Sequence, residues 1–233
     1  MNYQEIFAKF PANEWERFEK AQIRLFNIVK KIIERHQVKY FMDCGTLLGI
    51  IRDDKLIYGD NDMDIAIMFE DVKRSFISHL LELGLLDHNR SNDLYHYSKD
   101  EIIAMLNGKE VVSKILCIKN PKMFGSFFGG KYTPTVDVSI FVDNGKNLVC
   151  GYGNKRFRFR EQSDFTKTKL INCYLGEVSI PENPERWIEV LYGPSWRTPN
   201  PGFDENKECN ELVKKNGREL YITPAKRTFR FVE

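Results

Sequence analysis

The feature that most constrains this chain is a short run, residues 60–68, in which acidic and apolar residues alternate: Asp60-Asn61-Asp62-Met63-Asp64-Ile65-Ala66-Ile67-Met68. Successive side chains of a strand point to opposite faces, so Met63, Ile65 and Ile67 share one face and Asp62 and Asp64 the other. The apolar face demands a sheet to pack in. The acidic face demands something positive, because two carboxylates beside an apolar sheet are costly unless a counter-charge lies between them. A hard divalent cation with oxygen ligands, Mg²⁺ or Mn²⁺, suits such a pair. A D-x-D pair alone is more often a solvated turn. An EF-hand loop is excluded, since its sixth position would need Gly and its twelfth Glu, where this chain has Ile65 and Asp71.

The preceding residues sharpen the reading. Val38 to Met42 is β-branched and aromatic enough for a buried strand, and Gly45-Thr46 interrupts it. Thr46 to Arg52 reads as a short apolar helix with Thr46 able to cap it. Helical N–H groups after Gly45-Thr46 would offer a phosphate cradle one strand away from the acids. A cradle next to a carboxylate-held metal is the equipment of phosphoryl transfer. Further on, Thr135 to Phe141 is a strand with Asp137 and Ser139 opposite Val136, Val138 and Ile140. Asp is depleted in strands, so Asp137 needs a reason.

These stretches together resemble the LicD/fukutin-related family of the polymerase-β-like nucleotidyltransferase superfamily. Asp43-Cys44-Gly45-Thr46-Leu47-Leu48-Gly49-Ile50-Ile51-Arg52 is similar to the family's D-x-G-T-L-L-G-x-x-R run, and Ile57 to Asp64 to its I-P-W-D-D-D-x-D loop. Tyr58 and Gly59 stand where Pro-Trp is usual, and Asn61 where a middle Asp is usual. Asp137 lies where the family places its third acid. Leu191-Tyr192-Gly193-Pro194-Ser195-Trp196 resembles the family's closing L-x-x-x-Y-G-x-x-W element, with the leucine adjacent to the tyrosine. The resemblance runs in order over residues 38–203. It implies an α/β (α+β) nucleotidyltransferase fold, a short mixed β-sheet flanked by helices. It also implies one domain over residues 1–233, with a catalytic core at 38–142, family C-terminal elements at 143–203, and a tail at 204–233 whose role the sequence does not identify.

The remaining chain is consistent with one such unit. Hydrophobic residues make up 42% and charged residues 29% of the 233 positions, enough for one substantial core. A net charge of +2 gives no general argument for nucleic acid, and no DNA partner is expected. Five scattered cysteines without C-x-x-C spacing read as reduced thiols, and the four histidines show no metal-ligand spacing. No apolar run approaches a membrane span and the N-terminus has no secretory pattern, so a cytoplasmic protein is expected, with peripheral action near a membrane compatible with that.

Residues 13–36 are expected as a core helix capped by Asn13, Val72 to Leu83 as a helix capped by Asp71, and Glu101 to Leu106 as a helical turn. Val111 to Ile118 is expected as a strand. Residues 87–100 read as loop and weak strand, open to a role in lining a substrate site. The glycine-rich 123–131 segment reads either as a flap over a nucleotide base or as a hairpin. The alternating Lys155 to Arg160 reads as a charge-protected edge strand rather than a nucleic-acid strand. Tyr174 to Pro181 suggests a hairpin, and Glu185 to Tyr192 a helix opened by Pro184 and closed by Gly193.

The resemblance implies a transferase of EC class 2.7 moving a phospho-substituent, such as phosphocholine or a phospho-alditol, from a CDP-linked donor to a sugar hydroxyl of a surface glycan (capsule, teichoic acid or lipo-oligosaccharide). Asp62, Asp64 and Asp137 would be the catalytic and metal-holding acids. Gly45, Thr46 and Arg52 would meet donor phosphate, with Asp60 and Asp43 orienting ligands around them. Arg52 has an equal alternative as the ion-pair partner of Asp53 or Asp54. Two other readings stay open: transfer of NMP from an NTP, and a non-catalytic nucleotide-binding module. The base of the donor, the number of metals and the oligomeric state are not fixed by the sequence.

Overall fold

A computed structural model describes residues 3–86, 97–109, 111–112, 115–143, 145, 147–151, 157–161, 167–203 and 228–229. Two helices come first, α1 (Tyr3–Lys9) and α2 (Ala12–Arg35). The long α2 buries Trp15, Phe18, Leu25, Phe26, Val29 and Ile33 along one stripe, as its 3.6-residue apolar period requires. It starts at Pro11, not at an Asn13 cap, and no side chain caps it. Glu14 in its first turn instead accepts the backbone N–H of Phe128 from across the molecule.

The sheet follows from three chain crossings. A short strand β1 (Phe41–Met42) leads into α3 (Cys44–Asp53) and then β2 (Met63–Met68). After α4 (Arg74–Glu82) and α5 (Lys99–Leu106) come β3 (Val111–Val112), β4 (Ile115–Ile118), the single turn α6 (Pro121–Phe124) and β5 (Val136–Asp143). Next are β6 (Asn147–Gly151), β7 (Phe157–Glu161), the hairpin β8 (Thr168–Cys173) and β9 (Gly176–Pro181), α7 (Pro184–Tyr192), and β10 (Thr228–Phe229). The main sheet runs β1-β2-β5-β6-β7, with β4 also on β5. Only β2 and β5 are parallel; the other pairs in it are antiparallel. Strand β5 holds β2 along one edge and β4 then β6 along the other, which curls the sheet. Helices flank it, so the mixed α/β expectation is met.

Several local expectations shift for identifiable reasons. Val72 is buried and extended, so α4 begins at Arg74 and not under an Asp71 cap. Ser98 and Glu101 form a reciprocal capping box that adds a turn to α5. The expected 111–118 strand divides because its halves have different partners, β10 for β3 and β5 for β4. The 123–131 segment is a packed hairpin-like bend: Phe127 bridges Tyr132, and left-handed Phe128, Gly129 and Gly130 turn the chain. Phe128 packs edge-on to Phe10 at 4.9 Å and Phe127 to Phe18 at 5.5 Å, which ties this bend to the helices. Residues 87–96, 155–156 and most of the tail lie outside the described residues. Among the described residues no helix is long and apolar enough to cross a membrane.

One polar residue on the apolar stripe of α2 positions the sheet. Gln22 is fully buried; its amide oxygen accepts the N–H of Thr135 at 2.9 Å and its amide nitrogen donates to the Thr135 carbonyl. That carbonyl also accepts the N–H of Met63 at 2.9 Å. The starts of β2 and β5 are therefore pinned at one point, one residue before Asp64 and two before Asp137.

Candidate active site

The acidic residues gather at the N-terminal ends of the two parallel strands. In the β2–β5 register Asp64 stands directly beside Asp137, and Met63 beside Val136. Neighbouring strands are about 4.8 Å apart, so the two carboxylates share one face at close range. Asp62 precedes β2 by one residue and reaches the same patch. Asp60 joins it from the loop, since a Cβ placed on Gly45 would lie 2.4 Å from the Asp60 Oδ2 and 3.8 Å from the Asp64 Oδ2. Gly45 is thus the close-approach point between the first turn of α3 and the acids.

Electrostatics mark this patch out. The carboxyls of Asp60, Asp62, Asp64 and Asp137 are only partly accessible to solvent. The Asp62 carboxyl is pushed well above the ordinary carboxyl range, first by desolvation and then by the charges of Asp64, Asp60 and Asp137, with a hydrogen bond to Asp60 adding to it. Every one of these neighbours is another acid. As the side chains stand, no three His, Cys, Asp or Glu among the described residues converge as a formed metal-ligand set. The donor chemistry nevertheless fits a hard cation, since every candidate ligand is a carboxylate oxygen.

The other expected site residues divide into two settings. Thr46 sits in the third position of α3, not at a cap, and its buried hydroxyl accepts the Asp64 N–H at 2.8 Å. The N-cap position is Asp43, whose side chain makes no capping bond. Asp43 is fully buried: its Oδ1 accepts the Trp187 indole N–H at 2.8 Å and lies 3.8 Å from the Arg160 guanidinium. Arg52 donates through Nε and a terminal nitrogen to the Asp53 carboxylate, at 3.1 and 2.7 Å, and weakly to the Trp196 carbonyl at 3.5 Å. This is the Asp53 ion pair that the sequence offered as one of two readings.

Sequence reasoning missed Gln22, Arg160 and Trp187. Gln22 carried a signal, a polar residue on the buried stripe of a helix. Arg160 carried a misleading one. Its strand β7 does lie at the end of the sheet order, but the Arg160 side chain points inward, its guanidinium stacked 3.5 Å from the Trp187 ring.

Comparison with known proteins bears directly on this patch. Residues 37–111, which carry β1, α3, Asp60, Asp62 and Asp64, match the family described as LicD/FKTN/FKRP, nucleotidyltransferase domain. That match covers well under half of the chain, and by it the chain is similar to the LicD/fukutin-related family. An uncharacterized protein of Rickettsia typhi is 38% identical over 104 residues, covering 38% of this chain and 34% of that protein. One of Rickettsia prowazekii is 36% identical over 55 residues, 22% of this chain and 21% of that one. The mouse ribitol-5-phosphate transferase FKTN is 23% identical over 205 residues, 86% of this chain and 38% of its own length. The chain thus spans well under half the length of the curated relatives it matches.

Proposed function

We infer that this protein transfers a phospho-substituent from a CDP-linked donor to a sugar hydroxyl of a glycan precursor in the cytoplasm. The observation that carries the reading is the in-register pair Asp64 and Asp137, flanked by Asp62 and Asp60 and closed over by Gly45. The placement of Asp60, Asp62 and Asp64 inside the LicD-matched segment, and the likeness to a protein named as a ribitol-5-phosphate transferase, support the choice of reaction. The fold is read as a nucleotidyltransferase core over residues 38–142, with the later elements, through residue 203, completing one domain.

In this reading the donor's pyrophosphate bond breaks, a phosphorus–oxygen bond to the sugar forms, and CMP leaves. Asp62, Asp64 and Asp137 would hold Mg²⁺ or Mn²⁺, which when bound neutralises phosphate charge and lowers the proton affinity of the acceptor hydroxyl. The strand register already sets the backbones of Asp64 and Asp137 side by side. Asp137 would accept the hydroxyl proton. A helix leaves its first N–H groups without internal partners, so the Gly45 turn of α3 offers donors to a phosphate at the edge of the acids. Thr46 works from behind, through Asp64. Arg52 is held by Asp53 and would have to exchange that partner for a phosphate.

The test is CMP release by the pure protein from CDP-choline, CDP-ribitol and CDP-glycerol, with Mg²⁺ or Mn²⁺ and a glycan acceptor. Release that vanishes in Asp64→Asn supports the proposal. Pyrophosphate release from an NTP instead would assign nucleotidyl transfer, and nucleotide binding without any turnover would assign a binding module.

A further inference from the structure

Asp64 is held in an unusual way. Strands β1 and β2 pair antiparallel through Met42 and Ile65, so the next ladder position sets Asp43 opposite Asp64. There the Asp43 N–H donates to the Asp64 carbonyl at 3.1 Å. The return bond is missing from the ladder, because the Asp43 carbonyl is already accepting the Leu47 N–H at 2.9 Å as the first bond of α3. The Thr46 hydroxyl replaces it and accepts the Asp64 N–H at 2.8 Å. Both backbone polar groups of Asp64 are therefore bound by one turn, residues 43–46. Between them Cys44 is in the left-handed region, φ 44°, which a residue with a side chain keeps only when its surroundings over-determine it.

What over-determines it lies far away in sequence. The Asp43 carboxylate is fixed by the Trp187 indole N–H and by the charge of Arg160. Arg160 stacks on the Trp187 ring and donates to the Trp187 carbonyl, so β7 and α7 act on Asp43 as one unit. Trp187 is itself wedged edge-on against Phe41 of β1 at 5.4 Å and Phe141 of β5 at 6.0 Å. Nothing in this trio reaches solvent, which separates it from the half-open acids it supports.

We propose that Arg160, Trp187 and Asp43 form a positioning brace that holds the Cys44–Gly45 turn in its strained conformation and thereby fixes the backbone of Asp64. These are positioning residues, acting through Asp43, and none of them touches substrate. That Asp64 is a catalytic acid rests on the proposed function; that the brace fixes its backbone does not. The brace also assigns a purpose to the C-terminal half of the chain: β7 and α7 lie outside the family-matched segment, yet they lock its first turn.

Amide hydrogen exchange followed residue by residue tests this on the intact protein. Trp187→Phe keeps the ring packing but removes the N–H donor, and Asp43→Asn keeps the acceptor oxygen but removes the charge. Both are expected to speed exchange at the Asp64 amide and at Gly45 to Leu48 by about tenfold or more, with distant amides of α2 unchanged. On a working donor, kcat should fall by about tenfold or more while KM stays within about twofold, since the acid is misplaced and not removed. Wild-type exchange at Asp64 in both variants would overturn the brace, as would an even loss of protection across the whole molecule. A wild-type protein that releases CMP from no donor would reject the functional reading alone, because the exchange experiment needs no substrate.

Discussion

The molecule holds buried acid in two ways, and the contrast separates structure from chemistry. Asp43 is fully sequestered but answered from within the chain, by an indole N–H and a guanidinium. Asp62, two residues before the Asp64 that Asp43 pairs with, is surrounded by three further carboxyls that all raise its proton affinity. A charge whose partner is built in serves the fold. A carboxyl desolvated among further carboxyls costs stability when ionised, and is retained where an external ligand completes it.

Removing one acid from each setting should therefore have opposite consequences. Asp64→Asn or Asp137→Asn should lower kcat by about a thousandfold or more, because the lost group acts on the reacting phosphate or its metal. Stability should hold or rise slightly, since a like-charge contact disappears. CMP release and thermal melting on the same preparations check both halves; a large fall in melting temperature would place these acids with Asp43 among the structural groups.

Arg160→Met attacks the compensated setting. It leaves the Asp43 carboxylate buried without its cation, and should cost about 3–5 kcal/mol. Asp43→Asn/Arg160→Met, which removes both charges, should recover much of that loss, because the uncompensated charge and not the missing pair is the main cost. Urea midpoints at constant m would measure it. A double variant as unstable as the single would mean that the Arg160 stack on Trp187, not its charge, is what matters.

Gly45→Ala tests where the two settings meet. Alanine favours a helix over glycine by about 0.5–1 kcal/mol, so the backbone gains. The new Cβ, however, would stand 2.4 Å from the Asp60 Oδ2. That atom ends a side chain that can rotate, so the collision is relieved by moving Asp60 away. The expected outcome is a melting temperature equal to or above wild type with about a ten- to hundredfold loss of activity. Unchanged activity would remove Gly45 and Asp60 from the site.

Much of the acidic setting was legible because period-2 alternation and a Gly-Thr turn are local signals. Asp62 and Asp64 needed only the rule that side chains alternate along a strand; Asp137 needed the family resemblance as well, and the parallel register then set it beside Asp64. Asp43 was legible as the opening residue of the family-like motif but not as buried, since its partners lie more than a hundred residues on. Arg160 looked like edge-strand charge because alternation says which residues share a face and not which face is covered. Thr46 looked like a cap because Ser and Thr before an apolar run usually are; the end of the β1–β2 ladder claimed its hydroxyl instead. The cap expectations at Asn13 and Asp71 failed alike, where a tertiary demand, the Phe128 amide or the burial of Val72, outweighed local propensity.

The smallest effect is the most direct reading of charge left short of a partner. The Asp62 proton affinity is raised in the folded protein, so between the ordinary carboxyl value of 3.8 and its raised value the native state holds a proton that the unfolded chain has released. Stability of the cation-free protein should be fullest at acid pH as far as this group is concerned, and should fall as pH rises through the raised value. Asp62→Asn should flatten that fall. Mn²⁺ should flatten it too, from the other direction, by favouring the ionised form that protonation competes with. Asp43, already compensated, should contribute no such response to the cation. Melting temperatures against pH for wild type and Asp62→Asn, with and without Mn²⁺, distinguish the cases. A wild-type fall that persists unchanged in Asp62→Asn would move the titration to another group, and a fall that Mn²⁺ does not relieve would argue that Asp62, Asp64 and Asp137 do not gather on a cation.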